Sequence, residues 1–237
     1  MIPDAGVLLA LGLAAFYLQD SAQLLYADEM VVTGTRRGWR CGLGDLELRG
    51  RFLHVPNPLL PARAMFRASW LDADRSTVEP LAEIQAFLAE LAPLGRACVV
   101  LWLLLLVVLP AAILAYRVPS VLLAILGGVY AVIALMILLL ARKRRRLGLS
   151  AREVAALGVG ALLCPPHAIN LVRRVCLGRG LRGDPLAFAA LALSAADATQ
   201  LRSGIEARIA LLAPAGDGME RTASMRAHLR HVRETLP

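Results

Sequence analysis

Residues 97–146 read ACVVLWLLLLVVLPAAILAYRVPSVLLAILGGVYAVIALMILLLARKRRR. Two uninterrupted apolar runs, 97–116 and 118–141, are separated only by Arg117, and Pro119 follows at once. A bilayer core of roughly 30 Å needs about 20 helical residues at about 1.5 Å each, and both runs reach that length. The stretch therefore predicts a transmembrane helical hairpin with a tight turn. Gly127 and Gly128 offer a place for close helix approach.

Outward from the hairpin, the whole chain of 237 residues is 58% hydrophobic and 19% charged, with a mean hydropathy of +0.62. That balance excludes a disordered chain and is too apolar for an ordinary soluble domain. A third apolar run near the start leads to a transmembrane helix 1 over residues 1–27, read as a retained anchor because no Lys or Arg precedes Arg36. Asp20, with Gln19 and Gln23 around it, sits toward the end of that helix, where an interface or a neighbouring helix can solvate it. The four cysteines, Cys41, Cys98, Cys164 and Cys176, lie at wide, irregular spacings that match neither a zinc site nor a disulfide framework.

Basic residues set the expected orientation. Arg142, Lys143, Arg144, Arg145 and Arg146 directly follow the last span and should stay in the cytoplasm. The N-terminus is then outside, and residues 28–96, with nine arginines, are cytoplasmic, as is the C-terminus. Residues 142–237 hold sixteen basic against seven acidic side chains, a balance of +9 that accounts for the whole net charge of +8.

The expected fold is a mainly α integral membrane protein with three transmembrane helices, a small cytoplasmic β-meander insertion and a basic helical C-terminal domain. In the 28–96 region, the alternation of Leu46, Leu48 and Phe52 with Glu47, Arg49 and Arg51 predicts a half-buried strand, flanked by strands near 30–35 and 64–70. Gly38, Gly42 and Gly44 read as the turn between the first two, and Pro56-Asn57-Pro58 with Pro61 as the next. Thr77 reads as the cap of an amphipathic helix carrying Leu81, Ile84, Leu88 and Leu91, separate from the transmembrane hairpin at 97–141. In the 142–237 region, the Ser150 to Glu153 capping box starts a helix that Pro165-Pro166 ends too soon to span. Segment 150–177 therefore reads as interfacial or re-entrant. Asp184-Pro185 opens a helix to about Thr199, another carries Leu201, Ile205, Ile209 and Leu212, Pro214 to Gly218 breaks the pattern, and a last helix fills about 218–236.

The densest group of chemically capable residues surrounds that proline pair. On a helix beginning near Pro166, His167, Asn170 and Arg174 share a face, with Arg173 beside them. They are candidates for holding an anionic lipid headgroup or a partner, with His167 available as a base. The plainer alternative is that His167 and Asn170 satisfy backbone groups freed at the kink. His228 and His231 are three apart on the final helix, but only Glu234 is near, so no metal site is expected. The polybasic run lacks interleaved aromatics and phosphate-binding glycines, which favours anionic lipid over nucleic acid. No cofactor is expected. Together these features predict a non-catalytic accessory, assembly or scaffold subunit of a bacterial inner-membrane complex, acting with membrane lipids and with a membrane-protein partner or further copies of itself. A membrane enzyme acting on a lipid or isoprenoid phosphate near His167 and Arg173 is the alternative.

Overall fold

The computed structural model describes residues 5–35, 38–44, 46–71, 77–115, 118–212, 227 and 229–236. Arg117, the break at Pro214 to Gly218, and His228 lie outside them, as does most of the chain before 229 in the last expected helix. The described chain is mostly helical, with a small sheet region and two apolar helices long enough to cross a membrane.

In chain order the elements are α1 (Ala5–Ser21), β1 (Gln23–Leu25), β2 (Glu29–Thr35), β3 (Gly38–Gly42), β4 (Leu46–Leu48), β5 (Arg51–His54), β6 (Met65–Ser69) and α2 (Leu81–Leu103). After a π-helical turn, Leu104–Val108, come α3 (Leu109–Ala115), α4 (Pro119–Lys143), α5 (Ala151–Leu163), α6 (Pro165–Ile169), α7 (Leu171–Arg179), α8 (Pro185–Ala192) and α9 (Ala195–Leu212). They form two compact units: residues 1–22, 55–63 and 85–175 make the first, and residues 23–54, 64–84 and 176–237 make the second.

In the first unit, the expected amphipathic helix and the first hairpin span are not separate. α2, the π turn and α3 run as one helix from Leu81 to Ala115, 35 residues or about 52 Å. Pro110 explains the π turn, because a proline cannot donate to the preceding turn and clashes with it. The wider register absorbs the fault, with the Leu109 amide bonding to the Leu104 carbonyl. Nor does Thr77 cap α2: the helix starts at Leu81, and the Thr77 carbonyl instead accepts from the Asp184 amide at 2.8 Å. α3 and α4 pack together as the hairpin requires. Gly127 and Gly128 take no part, since no atom lies within 4 Å of where their Cβ atoms would be. α1, at 17 residues, is shorter than the expected span and packs against α3 and α6. α5 begins at the predicted capping box and stops at Cys164, before the proline pair.

In the second unit the three-stranded meander is corrected to two three-stranded antiparallel sheets, ordered β1-β5-β4 and β3-β2-β6. The predicted 46–52 strand is a hairpin, with Leu48 opposite Arg51. Its two turn residues, Arg49 and Gly50, have φ of 52° and 76°, the left-handed pair that a two-residue hairpin turn of primed type needs. The alternating pattern passed through the turn unbroken, which hid it. The glycines at 38 and 42 bound strand β3 rather than a turn, and β3 packs against α8 and α9. Leu25, Val31 and Met65 form a core with Phe52 and Leu177 against it, while Trp39 meets Phe188 edge-on at 5.5 Å. The helix expected to reach Thr199 ends at Ala192. Ser194 restarts the chain as α9 by exchanging hydrogen bonds with Asp197.

Candidate functional site

The first unit buries a polar cluster where α1 ends and the helical path breaks at Cys164. The proline pair begins a new short helix, α6, since prolines fit its first turn, and Asn170 separates α6 from α7. This geometry brings His167, Asn170, Arg173 and Arg174 together around Asp20 and Ser21.

Arg173 is the centre, only 2% exposed. One terminal nitrogen donates to Asn170 Oδ1 at 2.8 Å and to Ser21 Oγ at 3.0 Å. The other donates to the carbonyls of Leu60 and Asn57 at 2.9 and 3.0 Å. Those carbonyls belong to consecutive turns at 57–63, in which Asn57 Oδ1 accepts from the Leu59 amide and the Tyr17 hydroxyl donates to the Pro58 carbonyl at 2.7 Å. Arg173 Nε has no acceptor. The guanidinium thus joins α1, the 57–63 turns and α7 through a fixed fork of donors that a lysine does not possess.

Asp20 collects the other three predicted residues. Asn170 Nδ2 donates to its Oδ2 at 2.8 Å, Arg174 pairs with Oδ1, and His167 Nε2 lies 3.5 Å from Oδ1. The Ser21 hydroxyl donates back to the Tyr17 carbonyl at 2.8 Å, and the His167 ring rests 5.7 Å from that of Phe16. All four predicted residues are therefore brought together, and Asp20, read separately in the sequence, proves to be their common acceptor. Each faces protein. Ser21, Asn57 and Leu60 were missed, because carbonyl acceptors and a lone serine carry no sequence signal.

The polybasic run is divided. Glu90, one helix away, binds Lys143 at 2.8 Å and Arg146 at 3.0 Å, and its own carbonyl accepts from Lys143 as well. Arg142 and Arg145 remain exposed, and Arg144 is half-buried.

The second unit holds its own buried charges. Arg179 pairs with Glu79, whose carboxylate also accepts from the Arg182 amide at 2.9 Å. Asp184 caps α8 and meets His231 Nε2 at 3.0 Å, so the His231 of the expected histidine pair is tied to a carboxylate. Arg208 donates to the carbonyls of Tyr26, Ala27 and Glu29 and stacks 3.8 Å above the Phe52 ring. Burial pulls its guanidinium down to about 10, against the opposing pull of Asp28 and Glu29, and it stays charged at neutral pH. Burial likewise pushes the thiols of Cys41 and Cys176 up to about 12, leaving them poor nucleophiles. Among the described residues no group of three His, Cys, Asp or Glu side chains stands close enough to hold a metal ion. No known protein family, curated protein or solved structure matches the chain.

Proposed function

We propose that this chain is a bacterial-type inner-membrane protein that acts as a non-catalytic accessory, assembly or scaffold subunit, inserted through α1, α2–α3 and α4. Its basic cytoplasmic side would engage anionic lipid and a membrane-protein partner. One observation carries the reading. The most apolar windows of Leu81–Ala115 and Pro119–Lys143 have only 28% and 17% of their residues buried, whereas a core helix of a water-soluble protein would be mostly hidden. Lipid is the solvent in which such a surface carries no cost.

The scaffold reading, in preference to lipid-phosphate chemistry, is supported by the commitments of the candidate site. Arg173 spends four hydrogen bonds within the protein, and Arg174 and His167 both face Asp20, so their geometry is that of a joint between segments. The Glu90 pairing of Lys143 and Arg146 is consistent with a helix end at an interface, where long cationic side chains find both a partner and water.

Reporter fusions after Pro237 and within residues 40–70 test the orientation. Both are expected to report a cytoplasmic location. An external signal at Pro237 together with an internal one before Ala97 would instead require a further crossing through Pro165-Pro166.

A further inference from the structure

α5 folds back along α4. The connection 144–150 places Ala151 near the end of α4, and seven residues further on a Cβ at Gly158 would lie 3.5 Å from Ile137, seven residues back. Between the two antiparallel helices runs an open groove of about 440 Å³, inside the roughly 300–1,000 Å³ range of small-ligand sites. Ile137, Ala141, Val154, Gly158 and Leu162 line it, and Arg144 is the one charged residue of its wall.

Arg144 differs from its neighbours in the basic run. Lys143 and Arg146 share Glu90, but among the described residues no carboxylate pairs with Arg144, a half-buried residue. The nearest acid in sequence, Glu153, is folded into the capping box, accepting from the Ser150 amide at 2.7 Å. The first turn of α5 adds the positive end of its dipole at the same end of the groove. The result is an apolar trough closed at one end by an uncompensated cation.

Resting on the membrane reading above, we infer that the α4–α5 groove binds one anionic glycerophospholipid, with an acyl chain along Ile137, Val154, Gly158 and Leu162 and the phosphate on Arg144. An uncharged or zwitterionic lipid would fill the trough equally well but leave the cation without a net counter-charge. A soluble anion would satisfy the cation and leave the trough empty.

The test is native mass spectrometry of the full chain in mild detergent, titrated with phosphatidylglycerol or phosphatidylcholine. One phosphatidylglycerol is expected to be retained in preference to phosphatidylcholine. Arg144→Gln should weaken retention about tenfold, and Arg145→Gln, an exposed neighbour in the same run, less than twofold. Ala151→Leu, at an exposed groove-lining position where folding is not at stake, and Gly158→Leu, which fills the floor, should both reduce retention of phosphatidylglycerol. Equal losses from the two arginine variants, equal retention of the two lipids, or undiminished retention in Ala151→Leu would each overturn the proposal. Recovery of the chain in the aqueous fraction after a carbonate wash would instead overturn the membrane reading. Failure of the groove alone leaves the chain in the membrane pellet.

Discussion

The two units bury similar kinds of side chain and differ in what they expose. The first turns leucine and valine outward along α1, α2–α3, α4 and α5 and hides a guanidinium, a carboxylate, an amide and a hydroxyl inside. The second hides Leu25, Val31, Met65, Phe66 and Phe188, and buries Glu79, Asp184 and Arg208 with their hydrogen-bond partners. The difference teaches that the apolar helix faces, not the interior, set the first unit apart, since both interiors combine apolar packing with satisfied polar groups. In the first unit the polar contacts join α1, the 57–63 turns and α7; on the proposed membrane reading they matter the more, because apolar contacts between helices gain little when the alternative neighbour is lipid.

The strongest way to break this comparison is to remove Arg173. Arg173→Ala removes the charged donor from Asn170 Oδ1 and from the Asn57 and Leu60 carbonyls, which keep only the longer bonds from Ser21 Oγ and from the Leu60 and Arg63 amides, and empties a buried site, an expected loss of about 3–5 kcal/mol. Thermal unfolding of the full chain in detergent should show it. Arg173→Lys should recover little of the loss, since an ammonium has three donors for four acceptors. A fully stable Arg173→Ala would mean that the polar cluster is incidental.

A second test compares two exposed leucines in unlike surroundings. Leu135 on α4 is 50% exposed and Leu191 on α8 is 72% exposed. Leu135→Asp should oppose membrane insertion by about 3 kcal/mol, whereas Leu191→Asp should change stability by less than about 0.5 kcal/mol. Membrane-integrated yield and unfolding midpoint measure the two effects. Similar outcomes at both positions would erase the distinction between the units.

Next in size is Gly183, where φ is +77° and an added Cβ would collide with the Thr77 carbonyl oxygen. Gly183→Ala should cost about 2–3 kcal/mol through strain and displacement of the Val78–Gly183 bridge. Tryptophan fluorescence in a Trp102→Phe background, which silences the tryptophan of the first unit, should report the loss. The smallest effect concerns Glu206, whose carboxyl is held below the ordinary 4.5 chiefly by a hydrogen bond from Arg233. Because its folded value is depressed, the contribution is complete above about pH 4.5 and disappears as pH falls through the lower value. Protection factors in residues 229–236, taken relative to the intrinsic exchange rate at each pH, should fall on acidification, and Glu206→Gln should already show the lower protection at neutral pH with no further fall.

Much of the helical plan was legible because it rests on local rules. The Ser150 to Glu153 capping box, the Asp184-Pro185 start and the break before Pro165 appear where those residues put them. The boundary between α2 and the first apolar run was illegible, since charge at Glu90 and Arg96 and proline at 93 resemble a break, yet the ladder continues through them. The strand order was also hidden. Nothing in 46–52 distinguishes a straight strand from a hairpin except the Arg49-Gly50 pair.

The candidate site divides in the same way. The sequence by itself determined that apolar runs of membrane-spanning length exist, that basic charge gathers after the last of them, and that His167, Asn170, Arg173 and Arg174 cluster around a helix break. These are matters of composition and short-range spacing. Only the tertiary structure decided that Asp20 and Ser21, about 150 residues away in the chain, receive those side chains, and that the carbonyls at 57 and 60 complete the Arg173 shell. A guanidinium donates to any oxygen suitably placed in its plane, so its partners follow from where folding brings oxygens, not from the order of residues along the chain.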